Sequence, residues 1–154
     1  RDRHLCLADF VKSKDSGETD VMAFQLVTAG ASVDAFAATL FASDSYRDYL
    51  ELNGLAMPLT EALAEYWHSQ IRAEWGFGGE DPAELPDVLG VKYRGARFSL
   101  GYPACPEMED RTKVVELLKP ERIGVELSEE LQLHPEQSTD AFVFHHPEAK
   151  YFSV

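Results

Sequence analysis

Apolar and polar positions are patterned differently at the two ends of the chain and in its middle. Residues 4–11 and 21–28 are rich in β-branched and aromatic side chains, and a polar stretch at 13–18 separates them. Segments of this composition joined by a polar turn are typical of a β-hairpin. The same apolar character predicts further strands near the C-terminus, at residues 123–127, 141–145 and 150–154.

Helical spacing dominates the middle of the chain. Ser32 is a suitable cap for a helix over residues 32–42, and a second helical stretch at 45–52 is interrupted by Asn53-Gly54. Pro58 then opens a long helix that ends near Trp75, because proline is tolerated in the first turn of a helix. The residues whose spacing directs them towards the core are Leu59, Ala62, Leu63, Tyr66 and Ile71.

Strands on either side of a helical middle indicate an α+β fold. We expect a mostly antiparallel twisted β-sheet with a group of helices inserted in the middle of the chain. The length of 154 residues and the 45% of hydrophobic residues are sufficient for one core, and no repeat or linker divides the sequence. We therefore interpret residues 1–154 as a single domain.

Charge and composition exclude several classes of protein. The net charge of −13 would repel nucleic acid phosphates, and no apolar stretch is long enough to span a membrane. Two cysteines are too few for a disulfide framework, so we expect Cys6 and Cys105 to be reduced, buried thiols of a cytoplasmic protein. No secretory signal is visible at the start of the sequence. The chain also opens without methionine, from which we expect a piece of a longer polypeptide.

Residues 94–106 contain the strongest candidate for a binding segment. Two glycines and two prolines interrupt this stretch, so it is neither a regular helix nor a central strand. Arg97 is suited to hold a carboxylate or phosphate through two parallel hydrogen bonds, and Tyr102 offers a flat ring and a hydroxyl. The pattern predicts a binding loop, and an ordinary ordered loop is the alternative.

A polar group accompanies the apolar positions of the long helix. Glu61, Glu65, His68 and Arg72 lie near one another on one face at helical spacing. Glu61 and Glu65 are like charges one turn apart, which mildly opposes helix formation. The group is either part of a ligand site or a solvated face.

Several motifs together resemble a known family. Arg97 followed by Gly101-Tyr102-Pro103-Ala104-Cys105-Pro106 is similar to the signature of the C-terminal activation domain of cobalamin-dependent methionine synthase, which binds S-adenosylmethionine. Three more matches occur in the same order along the chain, at residues 6–11, at residues 61–66 with His68, and at residues 150–154.

The resemblance assigns roles to residues of this chain. It implies that Arg97 holds the carboxylate of S-adenosylmethionine, that Glu61 holds its amine, and that Tyr102 provides a surface for adenine. The backbone from Ser99 to Gly101 would read the adenine edge.

Tyr151 and Phe152 match an aromatic pair at the wall of the ligand groove, for which core packing is the alternative. Phe98-Ser99-Leu100 stands where some members have Pro-Ala-Pro, and Phe152 lacks the hydroxyl of a second tyrosine. The family domain is longer and has an upstream aspartate that helps hold the ligand. We therefore expect this chain to be the C-terminal part of an activation domain truncated at its N-terminus, with weak binding by itself.

The resemblance also implies the reaction. In methionine biosynthesis the domain presents the methyl group for reductive methylation of cob(II)alamin, with cobalamin bound mainly by another domain of the same polypeptide and an electron from a flavodoxin-like donor. Such positioning needs no catalytic acid, base or nucleophile, and we expect the fragment alone to be inactive. We also expect no metal site, because His145 and His146 are adjacent on a predicted strand and point to opposite faces.

Two alternatives remain at this point. One is a non-catalytic module that contacts a corrinoid or a flavoprotein without binding S-adenosylmethionine. The other is an independent methyltransferase in which His68 is the base.

Overall fold

The computed structural model describes residues 5–151, and this part contains four α-helices and five β-strands. The helices are α1 (Ala31–Ala42), α2 (Tyr46–Glu74), α3 (Leu85–Leu89) and α4 (Asp110–Leu118). The strands are β1 (Ala23–Thr28), β2 (Ala96–Phe98), β3 (Glu126–Leu127), β4 (Leu133–His134) and β5 (Ser138–Phe144). Short 3₁₀ helices occur at Leu7–Phe10, Lys14–Ser16, Gly78–Glu80 and Pro120–Ile123.

Strands β1, β5 and β2 form one sheet in that order, and β3 pairs with β4 in a separate antiparallel ladder. β2 is antiparallel to β5, with Arg97 opposite Val143. In sequence, β1 precedes the helices of the middle of the chain, and β2 and β5 follow α1, α2 and α3. The predicted α+β class with antiparallel pairing is confirmed.

Two compact units are present, each assembled from separate stretches of the chain. Within the described residues, the first unit comprises residues 5–25, 67–108 and 141–151. The second comprises residues 26–66 and 109–140. The interpretation of residues 1–154 as one domain stays a prediction.

Aromatic rings form the core of the first unit. Phe10 stacks on Phe98 with ring centroids 5.9 Å apart, and Phe144 meets Phe98 edge-on at 5.7 Å. Ala96 and Ala149 complete this buried cluster. Ring pairs at these distances stabilise a core beyond the area that they bury, so β2 is held firmly at its place beside β5.

An ion pair is buried in the second unit. Arg111 on α4 donates to both carboxylate oxygens of Asp140 on β5, at 2.8 and 3.1 Å, and to the carbonyl of Leu131 at 2.6 Å. The two side chains are almost fully buried, and the two-pronged geometry compensates both charges. This pair ties α4 to β5.

The predicted hairpin is wrong in its first half, since Leu7–Phe10 is a 3₁₀ helix rather than a strand. The carboxylate of Asp9 accepts a hydrogen bond from the backbone N–H of Cys6 at 2.9 Å, a local bond that favours a turn over a strand. The predicted strand at residues 150–154 is not found at Lys150 and Tyr151, and residues 152–154 lie outside the described part.

The predicted break between two helices is also wrong, because α2 runs through Asn53-Gly54 and Pro58 without interruption. Asn53 donates from its amide to the carbonyl of Tyr49 at 3.0 Å and accepts from the amide of Gln137 at 2.6 Å. These bonds anchor the helix where its sequence is weakest. Pro58 lacks the N–H that would donate to the carbonyl of Gly54, and its ring crowds that carbonyl, so the helix continues here at a cost.

The face of α2 predicted to be buried is the wrong one. Leu59 and Tyr66 are 59% and 58% exposed, Leu63 and Ala62 are exposed as well, and Ile71 is half-buried. Small and polar side chains at every fourth position are buried instead, namely Ala56, Thr60, Ala64, His68 and Arg72. Such a row forms one ridge of a helix, and narrow side chains allow close packing along it.

We predict that Arg111→Ala lowers the free energy of unfolding by about 3–5 kcal/mol, because removal of one partner leaves the charge of Asp140 buried and uncompensated. Chemical denaturation measures this change. Arg47→Ala is the matched control, because the Arg47–Glu51 pair is exposed on α2 and should contribute less than about 0.5 kcal/mol. Equal losses in the two variants would contradict the assignment.

A second prediction concerns acid stability. The backbone N–H of Lys12, the ring of His145 and the backbone N–H of Val21 lower the pKa of Asp20 from 3.8 to about 2. Because the folded pKa is below the unfolded value, this carboxylate stabilises the fold above its unfolded pKa, and the contribution is lost as the pH falls towards 2. When denaturation is measured at a series of pH values, the free energy of unfolding of Asp20→Ala should fall less steeply with decreasing pH in this range than that of the parent. The same slope in Asp20→Ala and in the parent would contradict this role of Asp20.

Candidate functional site

The direction of Arg97 follows from the strand that carries it. Successive residues of a strand point to opposite faces, and Ala96 and Phe98 are buried in the aromatic core. Arg97 therefore projects from the other face, where its side chain is half-buried. Its Nη1 atom lies 3.4 Å from Nδ1 of His68 on α2.

A tight turn follows β2. The N–H of Gly101 donates to the carbonyl of Cys105 at 2.9 Å, and the N–H of Cys105 donates to the carbonyl of Tyr102 at 2.8 Å. Gly101 has a φ of +85°, which L side chains rarely adopt, and a Cβ there would lie 2.6 Å from Sδ of Met108. This turn leaves the ring of Tyr102 58% exposed, as a surface for a planar group requires.

The remaining predicted ligand residues are placed as follows. Ser99 is half-buried directly after β2. Tyr151 stacks on Phe98 with ring centroids 6.3 Å apart and is 56% exposed, which agrees with neither full burial in the core nor full solvation. Because Phe98 and Arg97 point to opposite faces, this stacking does not by itself bring Tyr151 to the guanidinium.

Two predicted residues cannot be grouped with Arg97 on geometric grounds. Glu61 is exposed on the part of α2 that belongs to the second unit, and its role in the ligand site stays a prediction. Phe152 lies outside the described residues.

His68 has a different environment from the solvated face that its sequence position allowed. The ring is fully buried, and burial, followed by the charges of Arg72 and Arg97, lowers its pKa from 6.5 to about 2. The imidazole is therefore neutral at any physiological pH. This state does not support the alternative in which His68 is a general base, because such a base works best with a pKa near the operating pH.

A supporting group that the sequence did not reveal surrounds His68. Arg72 binds Asp81 through two parallel hydrogen bonds, Nε to Oδ1 and Nη2 to Oδ2, both at 2.8 Å. The Arg72 guanidinium also lies 3.8 Å from the ring centroid of Tyr93, and that ring meets His68 edge-on at 5.2 Å. The only sequence signal was the four-residue spacing of His68 and Arg72, since Asp81 and Tyr93 lie in irregular segments.

Seven of the 14 Lys and Arg residues lie at positions 92–122, and this basic stretch is not a continuous cationic surface. Acidic side chains of the same unit partner several of its members: Lys92 pairs with Asp87, Arg94 with Glu80, Lys113 with Asp110 and buried Arg111 with Asp140. These local pairs neutralise much of the positive charge that would otherwise attract an acidic partner.

The two cysteines differ from each other. Both are free, but Cys6 is exposed, which corrects the expectation of two buried thiols. Cys105 is buried between Ala104 and Pro106 and packs as a small apolar group. Within residues 5–151, His, Cys, Asp and Glu side chains form no group of three or more that could hold a metal ion. None of the helices in that range is long and apolar enough to cross a bilayer.

The arrangement of sheet, turn and helix has a close counterpart among solved proteins. The fold matches the crystal structure of the MetH reactivation domain bound to AdoHcy, with a TM-score of 0.91 and 35% sequence identity over 96% of this chain. The fold is therefore that of a reactivation domain. The chain belongs to the family of vitamin B12 dependent methionine synthase activation domains, whose model matches residues 1–154.

Curated relatives agree with this family. The chain is 60% identical to methionine synthase of Mycobacterium tuberculosis (strain ATCC 25618 / H37Rv) and 58% identical to methionine synthase of Mycobacterium leprae (strain TN). Each match includes all of this chain but only 14% of the relative. The chain likewise spans 46% of the solved MetH chain. The resemblance read from the sequence is confirmed.

We predict that Gly101→Ala destabilises the protein by about 1–2 kcal/mol through its positive φ alone, with a further loss from the contact with Met108. Gly17→Ala is the control, since Gly17 also has a positive φ but a Cβ there would meet no atom within 4 Å. The double variant Gly101→Ala/Met108→Ala should recover the extra loss. Equal midpoints of denaturation for the two single variants would rule out a tight contact at the turn.

Proposed function

We propose that this chain binds S-adenosylmethionine and presents its methyl group for the reactivation of cobalamin-dependent methionine synthase. The observation that carries the proposal is the match to a reactivation domain bound to AdoHcy. AdoHcy is S-adenosylmethionine without the methyl group, so the two share the adenosine, amine and carboxylate groups that a site must recognise.

The residues present fit such a ligand. Arg97 supplies a cation that suits a carboxylate, and it is held on a rigid strand. Gly101 has no Cβ, so its backbone is uncovered at the turn, next to the exposed ring of Tyr102. In this proposal Ser99 and Gly101 bind adenine through their backbones, and the roles of Glu61, Tyr151 and Phe152 stay those that the resemblance implies.

The proposed methyl transfer requires this chain to position S-adenosylmethionine. In the reductive methylation of cob(II)alamin, one electron comes from a donor, and the C–S bond of S-adenosylmethionine breaks to leave S-adenosylhomocysteine. Cobalamin, when bound by another domain, supplies the metal that accepts the methyl group. The residues of this chain hold the sulfonium in place and exclude other acceptors, a task that needs no proton transfer.

The proposed partners follow from the length of the relatives. Since the chain spans 14% of the methionine synthases that it matches, we place its cobalamin-binding partner on the same polypeptide. We also propose that the chain is the C-terminal part of a longer activation domain, because it spans 46% of the solved one. A flavodoxin-like electron donor in the cytoplasm completes the proposal.

Calorimetric titration of the complete polypeptide with S-adenosylmethionine tests the site. Arg97→Ala should weaken binding about 30-fold, because a hydrogen-bonded charge on the ligand loses its partner, and Arg97→Lys should recover part of the affinity. Arg122→Ala is the matched control, as an arginine of the same basic stretch outside the proposed site. Unchanged affinity in Arg97→Ala would refute the role of Arg97, and a folded parent without affinity would favour the interaction module.

A further inference from the structure

The contact between His68 and Arg97 constrains the chemical state of the imidazole. A guanidinium carries only donors, so the ring nitrogen that faces it at 3.4 Å must be an acceptor. Nδ1 of His68 is therefore unprotonated, and the ring proton is on Nε2. The imidazole is a neutral acceptor with one allowed tautomer.

The two cations beside the ring disfavour its protonation, whereas Nε2, which carries the proton in this tautomer, is buried without a hydrogen-bond partner among the described residues. Arg72 on the same helix and Arg97 on β2 are both cations, and Tyr93 presents its ring edge-on. The carboxylate of Asp81 is bound to Arg72 through a two-pronged pair. Protonation of His68 would bury a third positive charge beside two others, which is strongly unfavourable.

A neutral acceptor has a specific advantage at this position. The imidazole accepts a hydrogen bond from the guanidinium without bringing a negative charge of its own. Orientation of this kind raises affinity because less freedom is lost on binding.

We propose that His68 is a positioning residue, which holds the guanidinium of Arg97 as a neutral hydrogen-bond acceptor so that Arg97 meets the carboxylate of the ligand in one orientation. The identity of the ligand rests on the proposed function, whereas the tautomer and the contact do not. The imidazole is itself confined by the edge-on ring of Tyr93, which in turn contacts Arg72, the partner of Asp81.

Substitutions at position 68 separate positioning from packing. His68→Asn keeps an acceptor near the place of Nδ1, and His68→Phe keeps a planar ring without one. Titrations of the complete polypeptide use S-adenosylmethionine and its decarboxylated analogue, which lacks the group that Arg97 would hold. His68→Phe should weaken the binding of S-adenosylmethionine about tenfold and the binding of the analogue less than about twofold. His68→Asn should stay within about threefold of the parent for both ligands.

Equal weakening of both ligands by His68→Phe, or no recovery in His68→Asn, would overturn the proposal and leave a packing role. In an Arg97→Ala background, His68→Phe should have no further effect on S-adenosylmethionine. His145→Phe is the control, because this histidine of the same unit pairs with Asp20 instead. Its affinities should equal those of the parent for both ligands.

A ligand-free measurement distinguishes this proposal from the proposed function. With ¹⁵N-labelled histidine, and His68→Asn to assign the signal, His68 should show the neutral Nε2–H tautomer from about pH 5 to 8. Its Nδ1 signal should shift in Arg97→Ala. A signal that titrates near the ordinary histidine pKa, or an Nδ1–H tautomer, would overturn the positioning role even if S-adenosylmethionine binds. The expected signal without any affinity for S-adenosylmethionine would overturn only the proposed function.

Discussion

Burial of Ala96 and Phe98 against Phe10 and Phe144 decides where Arg97 points. A three-residue strand has only two faces, and the aromatic core occupies one of them. Packing therefore decides the face of β2 from which the guanidinium projects. The turn that starts at Ser99 begins from a backbone whose position is already determined, and so the exposed ring of Tyr102 is determined with it.

The second constraint is that α2 buries polar side chains and leaves leucines exposed. A helix that buries His68 and Arg72 must provide for their polar atoms, because an unpartnered buried polar group is costly. Asp81 accepts hydrogen bonds from Nε and Nη2 of Arg72, and the neutral state of His68 avoids a third charge.

Much of the fold was predictable, since the helical stretch of α1 and the apolar runs in β1 and β5 are local signals. The predicted cap was wrong, because Ser32 lies inside α1 and Gly30 is the residue at its N-terminal cap. The glycine–tyrosine turn was predictable for the same reason. The course of α2 was not: Pro58 and Asn53-Gly54 are local stop signals, and tertiary bonds such as Gln137 to Asn53 override them. The buried ridge of α2 escaped prediction because its residues are less apolar than those they displace. Tyr93 and Asp81 escaped because only the folded chain brings them to His68 and Arg72.

The leucine face of α2 has a consequence for how copies of the chain meet in solution. Leu55, Leu59 and Leu63 are exposed one helical turn apart, on a chain with a net charge of −13. The first property draws two copies together, and the second keeps them apart. Electrostatic repulsion extends only about 8 Å at physiological ionic strength, while apolar attraction is not screened by salt. A rise in ionic strength therefore weakens the repulsion between two copies and leaves the apolar attraction between their leucine faces in place.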